Sequence, residues 1–524
     1  MSRARDALAL LLAWAVLALP NHPGAVTWGA LAVAPFDLAA VTLLLLAAPR
    51  ARRIVAALLW AATVMKLIDL AGHMALGRAL NPATDLALVP LGWALLRDVL
   101  GLPAAFGAAL ALVLAAWLLW GALAWTAARL AARAPGPRAR PALALGFLAA
   151  AGLAVAETAG RLDPPGEAFT TRLAWEHVRD AVAARRALAA FRAEAAAEAA
   201  RPPETILPAL AGRDVLIVFV ESYGRSALEA PAYAPRLRAL LEGLEPPLAA
   251  AGLAARSGWL TSPVAGGQSW LARASALSGL PISDEARYRA LLASPRRTLP
   301  QLAQEAGWRS VALVPAITRP WPEAAWMGYD RVLAAQDLGY AGPSFGWAPA
   351  PDQFALAALE RTELGLGPRA PVIAEIALVS SHAPWTPLPT SRPWSALGDG
   401  SDYRAEGPSP EALWRDPEAV RAHYAAAIAY SLGTAVEFAL RHPEALTLIL
   451  GDHPPAPFVA LAPGRDVPAH LIGPPALVDR AAAWGWTRGL LPDPEVASRP
   501  MSGLRDALLA AFAAPATDSA DARP

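Results

Sequence analysis

Apolar residues run along this chain in two regimes. Up to about residue 160 they form long stretches, Leu8–Pro20, Trp28–Ala48, Ile54–Gly72, Ala104–Trp125 and Ala142–Ala156, broken by short arginine-bearing loops. The longer ones have the length a bilayer core demands of a helix. The first is as short as a signal sequence, but no small-residue cleavage pattern follows it and further apolar runs do, so it predicts an anchor. Leu86–Leu100 turns polar at its end and predicts a helix lying along the membrane surface. Beyond about Glu204 the apolar runs shorten and alternate with helical patterns. Strands are predicted at Val215–Val220, Ser310–Val314, Val372–Val379, Leu446–Leu450 and Pro468–Ile472. Helices are predicted at Ala234–Glu242, Ser269–Leu277, Leu299–Glu305, Gln353–Glu363, Pro417–Ala439 and Leu504–Ala513. That alternation predicts an α/β doubly wound domain. Between the two regimes Trp175–Ala200, rich in Ala, Arg and Glu, predicts a helix stopped by Pro202 and Pro203. The expected organisation is a membrane domain at 1–160, a helical linker at 161–203 and an α/β catalytic domain at 204–524.

The arginines orient the membrane part. Arg3 and Arg5, then Arg50, Arg52 and Arg53, then Arg129, Arg133, Arg138 and Arg140 all fall on one side if the amino terminus is cytoplasmic. Five crossings then leave everything after Ala156 outside the cytoplasmic membrane. Asp37, Lys66 and Asp69 sit inside apolar runs. They read either as a lipid-headgroup or partner site or, for Lys66 and Asp69, as a pair three residues apart on one helix.

Composition sharpens this. The chain is 55% apolar with 19 tryptophans, too oily for a purely soluble enzyme. A formal charge of +1 offers no basic surplus for a nucleic-acid partner. The absence of cysteine removes disulfides, thiolate nucleophiles and thiolate metal sites, and suits an extracytoplasmic domain that needs no covalent staples.

Candidate chemistry gathers at strand ends. The run VLIVFV, 215–220, leads straight into Glu221, Ser222 and Gly224, and LTLIL, 446–450, leads into Gly451, Asp452 and His453. Alone, Glu221 reads as a helix-capping acid. Two buried strands that deliver acidic and imidazole groups to one sheet edge point instead to a metal site. Gly266 and Gly267 then allow a sharp turn before Ser269, which opens a helix. Its hydroxyl reads either as a plain helix cap or, if Glu221, Asp452 and His453 converge on it, as a nucleophile with a metal to lower its pKa.

In order, IVFVESYGR, GGQSWLARASALSGLPI, WMGYDRV, SSHAPW and GDH resemble the alkaline phosphatase/sulfatase superfamily. Within it the chain is similar to the membrane-anchored lipoteichoic acid synthases and the phosphoglycerol and phosphoethanolamine transferases. The resemblance covers most of Asp214–Gly473 and implies an α/β sulfatase-like fold behind about five membrane helices. It implies Glu221, Ser269, Asp452 and His453 as metal ligands, with serine where the family usually carries threonine. It implies His382 at the transferred headgroup and Trp321 facing substrate. Glu323 stands where the family has arginine, which argues against a phosphoglycerol headgroup, although Arg319 is placed to reach the same space. His470 reads as a pocket-lining residue or a core histidine. A formylglycine sulfatase is disfavoured, because Ser269 is followed at +2 by Leu271, despite Arg273 at +4.

The resulting expectation is a bacterial cytoplasmic-membrane transferase with its catalytic domain outside. Using one divalent ion, Mn²⁺ or Mg²⁺ with Zn²⁺ as a further option, Ser269 would take a phospho-headgroup from a phospholipid donor. An envelope glycan or lipid would then accept it, with His382 or His470 carrying protons. The alternatives are a phosphoester or sulfoester hydrolase and a degenerate, non-catalytic membrane protein.

Overall fold

The structure, a computed structural model, describes residues 2–27, 35–81, 85–161, 167–198, 201–462 and 464–513. The chain separates into two compact units, Met1–Ala189 and Ala190–Pro524.

The first unit is helical. Three helices have the length and apolarity of a membrane span: Pro49–Leu76, Leu102–Ala131 and Pro137–Thr158. In the second of these Leu112, Val113, Trp117 and Leu118 point outward and are exposed. Such a continuous apolar surface suits lipid and not water. The other two expected crossings differ. The first is a 17-residue helix, Ser2–Ala18, which carries Arg3, Arg5 and Asp6 near its start. Of the run Trp28–Ala48, residues 28–34 lie outside the described residues, and the rest forms a 12-residue helix, Phe36–Ala47. The segment Leu86–Leu100 is helical. Of the expected linker helix, residues 175–198 are described and belong to a long helix, Phe169–Ala196, and its exit.

Lys66, Asp37 and Asp69, the charged residues expected inside the apolar runs, are buried and partnered. Lys66 donates to the Val16 and Leu17 carbonyls at 3.1 and 2.9 Å and to Thr170 Oγ1 at 3.0 Å. Asp37 accepts from the Thr170 amide at 3.0 Å and from Thr171 Oγ1 at 2.5 Å. Asp69 Oδ2 meets His177 Nε2 at 3.0 Å and accepts from Asn21 Nδ2 at 3.2 Å. Lys66 and Asp69 thus bind different groups, although the sequence allowed them to pair with each other.

The second unit is built on one sheet. Its strands are β1 (Val215–Val220), β2 (Ala254–Thr261), β3 (Arg309–Val314), β4 (Arg331–Ala334), β5 (Val372–Leu378), β6 (Leu446–Gly451), β7 (Asp466–Gly473), β8 (Thr487–Arg488) and β9 (Arg499–Pro500). They run in the order β4-β3-β5-β1-β6-β7-β2-β8, with β9 beside β2. From β4 to β6 all pairs are parallel. β7 then pairs antiparallel with β6 on one side and with β2 on the other. β1 and β6 are buried along their whole length, as strands covered on both faces must be, which is why their sequences are unbroken apolar runs.

The β2 strand escaped the pattern because Arg256, Ser257 and Gly258 interrupt it. Gly258 is there for space: a Cβ would stand 2.2 Å from the Trp486 ring. The helix begun at Ala234 runs on to Ala250 through Pro246 and Pro247, past its expected end at Glu242. Both prolines and the carbonyls they leave unbonded, those of Glu242 and Gly243, lie on exposed residues where water can serve them.

Candidate metal and nucleophile site

Strands β1 and β6 are hydrogen-bonded neighbours, Val220 lying opposite Gly451. Parallel pairing at that register forces the residues after each strand to emerge side by side at the carboxyl edge of the sheet. Glu221, Asp452 and His453 therefore meet, each offering a ligand atom within 4.8 Å of the others. All three are buried.

The nucleophile candidate is brought in by its turn. Gly266 has φ +71° and Gly267 φ +147°, values that only glycine adopts readily. Gly266 N–H donates to the Pro454 carbonyl at 2.9 Å, which ties this turn to the loop after β6. Gln268, not Ser269, is the cap of the helix Ser269–Ser278, so the serine hydroxyl is not a helix cap. Ser269 Oγ donates to Glu221 Oε2 at 2.7 Å and lies 3.1 Å from His453 Nε2. Nor is Glu221 a cap: the short helix after it begins at Ser226, behind Arg225.

Surrounding groups hold each side chain in place. His453 Nδ1 donates to the Pro454 carbonyl at 2.9 Å, which leaves Nε2 facing Glu221 Oε1 at 3.2 Å and Asp452 Oδ1 at 3.8 Å. A histidine that anchors one nitrogen on a carbonyl is oriented as metal ligands usually are. Asp452 Oδ1 accepts from the amides of Ser222 and His453 at 2.9 and 2.7 Å. Ser222, in the left-handed region at φ +59°, also donates its hydroxyl to Glu221 Oε1 at 2.8 Å. Sequence reasoning gave Ser222 no role. Its position beside Glu221 was visible, but the strained backbone that turns its amide to Asp452 was not.

Electrostatically the site favours positive charge. Burial alone would push the His453 imidazole down, but the Asp452 and Glu221 carboxylates carry it up to about 10. Burial, with Glu221 alongside, raises Asp452 to about 7. For Glu221 burial works upward too, yet the adjacent His453, helped by His382 and the Ser269 hydroxyl, holds it well below the usual carboxylate range. Two carboxylates, one imidazole nitrogen and an alcohol oxygen around one point form a donor set that fits a divalent cation. The residues present therefore fit the metal that the sequence implies.

The remaining expected residues divide. His382 is half-buried, its ring 5.7 Å from that of Trp347, and its charge is felt by Glu221. Trp321 is half-buried against Tyr329, with ring centroids 5.9 Å apart, and hydrogen-bonds Tyr288. Arg319 is exposed on the same loop. His470 is not at the pocket. It is fully buried, with Tyr223 Oη 3.1 Å from Nε2 and Ser257 Oγ 2.8 Å from Nδ1. Of the two readings its sequence allowed, it is the core histidine.

Arg273, one turn beyond Ser269, was not assigned a role. It donates to the buried Glu375 of β5 at 2.9 Å, and Tyr329 donates to the same carboxylate. At the opposite end of the sheet a cavity is lined by Arg213, Asp214, Leu366, Arg369 and Arg441. Its guanidinium groups are already matched to Glu444, Asp214 and Glu360, so it holds no comparable surplus of ligand groups.

No protein-family model matches the chain, and no curated protein matches it. Among solved structures it is similar to the lipoteichoic acid synthase LtaP from Listeria monocytogenes, at 13% identity over 55% of this chain and 71% of that one, with a TM-score of 0.34. It is also similar to the Streptococcus pyogenes phosphoglycerol transferase GacH in complex with sn-glycerol-1-phosphate, at 13% identity, 62% and 91% coverage and TM-score 0.37, and to the C-terminal periplasmic domain of EcEptC from Escherichia coli in complex with Zn, at 15% identity, 50% and 73% coverage and TM-score 0.32. The likeness is distant, and the chemistry that follows rests on the side chains at the site.

Proposed function

We propose that this chain is a membrane-anchored, metal-dependent transferase that moves a phospholipid-derived phospho-headgroup through Ser269. What carries the reading is the position of the Ser269 hydroxyl, within hydrogen-bonding distance of both a carboxylate and an imidazole that also point at Asp452. Glu221, Asp452, His453 and Ser269 would hold one divalent ion, Mn²⁺, Mg²⁺ or Zn²⁺. When bound, such an ion lowers the pKa of the alcohol and neutralises charge on the phosphoryl oxygens.

The rest of the chemistry belongs to the chain. Ser269 Oγ attacks phosphorus as its proton is lost to solvent. The phosphorus–oxygen bond to diacylglycerol breaks, and the departing oxygen takes up a proton through His382, the histidine besides His453 whose charge acts on Glu221. An envelope glycan or lipid hydroxyl then attacks the phosphoserine, and Ser269 leaves as the free alcohol. His470, expected as a second proton carrier, is given no part in these steps, because both its ring nitrogens are engaged by Tyr223 and Ser257. Trp321 and Arg319 are proposed to bound the headgroup. The long apolar helices support a membrane anchor, and with it access to a lipid donor. With the arginine-rich loops cytoplasmic and five crossings, the α/β unit of a bacterial protein lies outside the cytoplasmic membrane.

The test is the full-length protein in phospholipid vesicles. Ser269→Ala should abolish release of diacylglycerol, and Ser269→Thr should retain it. The wild-type peptide containing Ser269, trapped without acceptor, should carry the mass of a phospho-headgroup. Undiminished turnover by Ser269→Ala would overturn the mechanism, and headgroup recovered only in solution would turn the transferase into a hydrolase.

A further inference from the structure

Among the described residues of the α/β unit four large hydrophobic side chains are exposed: Leu366 at 53%, Trp414 at 43%, Phe458 at 47% and Leu461 at 43%. Three of them belong together. The Trp414 and Phe458 rings are 5.4 Å apart, and Leu461 closes the short helix Pro457–Ala460 that begins at Phe458's neighbour. Leu461 sits in the left-handed region at φ +59°, disfavoured for a branched side chain, yet its side chain gains no burial in return.

This cluster is joined to the candidate active site from two sides. Phe458 follows His453 by five residues, three of them proline, so it lies no more than about 18 Å from the ligand along the chain. Trp414 stacks on Trp385, with ring centroids 5.8 Å apart and planes 1° from parallel. Trp385 Nε1 donates to the Ser381 carbonyl at 2.8 Å, and Ser381 Oγ donates to the Glu221 carbonyl at 2.7 Å. A rigid aromatic ladder therefore runs from the exposed patch to the backbone of a ligand residue.

We propose that Trp414, Phe458 and Leu461 form a tip that dips into a lipid surface and brings the Ser269 site to headgroup level. Trp, Phe and Leu are the side chains that settle at the boundary between headgroups and acyl chains. The chain's own apolar helices keep a bilayer permanently within reach, so even a small apolar tip has a high local concentration of its partner. The proposal deepens the lipid-donor reading and rests on it only for the turnover arm of its test.

The chain has no cysteine, so one introduced thiol can be labelled uniquely. Leu461→Cys and Leu366→Cys, the latter on the cavity at the opposite end of the sheet, would each carry an environment-sensitive fluorophore in the full-length protein in lipid nanodiscs. Nitroxide-bearing phospholipid should quench the label at 461 at least about threefold more than that at 366, with a blue-shifted emission. Equal quenching, or a blue shift at 461 without quenching, which means that protein covers the tip, would overturn the proposal. In the second arm Phe458→Ser with Leu461→Ser should raise KM for phospholipid in vesicles by about tenfold and leave turnover of a water-soluble bis-nitrophenyl phosphate unchanged. Equal losses on both substrates, or on neither, would count against the tip. If wild type turns over no diester at all, the transferase reading fails while the quenching result still decides this one.

Discussion

Both units bury charge, and they do so in opposite ways. In the helical unit Lys66 has a carbonyl or hydroxyl for each of its three N–H bonds, and Asp37 is bonded to the same threonine through its amide. In the α/β unit two carboxylates and an imidazole crowd together, and among the described residues the hydroxyls that reach them come from Ser222 and Ser269. The first arrangement answers its own charges and acts as a clasp between helices. The second gathers more lone pairs than donors, which is costly in a buried place unless a cation arrives from outside. Burial of charge alone does not mark a functional site; burial of charge that the fold leaves unbalanced does.

The largest effect should come from removing a ligand in the unbalanced cluster. Full-length Asp452→Ala is expected to lose a stoichiometric divalent ion, read by elemental analysis. Headgroup transfer should fall by about a thousandfold, the several kcal/mol that a bound ion contributes to charge stabilisation. Chelation of the wild-type protein should lower its thermal midpoint as well, because an ion that binds only the folded state stabilises it by about 2.7 kcal/mol at a hundred times its Kd. If Asp452→Ala keeps its ion and its turnover, the two clusters are alike and the contrast disappears.

Lys66→Met tests the other side. Removing the ammonium strips the Val16 and Leu17 carbonyls and Thr170 Oγ1 of their donor and Asp37 of a neighbouring positive charge, at a cost of about 3–5 kcal/mol. The expected result is a marked loss of thermal stability in detergent with turnover per folded molecule unchanged. Adding Asp37→Asn should restore part of that stability. A folded Lys66→Met protein that bound its ion but had lost turnover would give the helical cluster a catalytic role and dissolve the distinction.

How far the sequence reached follows the same line. Buried parallel strands announce themselves, since two covered faces demand an unbroken apolar run, and so β1 and β6 with Glu221, Asp452 and His453 at their ends were legible from the chain alone. The edge of the sheet was not. Strand β2 carries Arg256, Ser257 and Gly258 because it packs against Trp486, a partner more than 200 positions away in the chain, and no local pattern records that. Ser222 and the Arg273–Glu375 pair were hidden for the same reason: each does its work through a residue distant in sequence. In the helical unit hydropathy located the apolar runs, but only three form helices of spanning length among the described residues.

His470 supplies the smallest and most easily measured contrast, a buried ionisable group that the fold has closed completely. Ser257 Oγ gives its one proton to the Gly489 carbonyl at 2.7 Å, so it can only accept from His470 Nδ1. His470 Nε2 must then accept the Tyr223 hydroxyl, and the imidazole is neutral. Burial accordingly pushes its pKa from 6.5 down to about 4. Between those values the unfolded chain takes up a proton that the folded protein refuses, so this contribution is complete above pH 6.5 and falls away as the pH drops toward 4. The loss amounts to about 3 kcal/mol, at 1.36 kcal/mol per pH unit. Denaturation midpoints of chelated full-length protein in detergent from about pH 7 to 4 should therefore fall more steeply for wild type than for His470→Asn, by about one proton. Turnover at about pH 7 by the folded variant should match wild type, because His470 faces the core. Parallel slopes would mean that His470 already binds a proton in the folded state, and equal stability with lost turnover would return it to the active site.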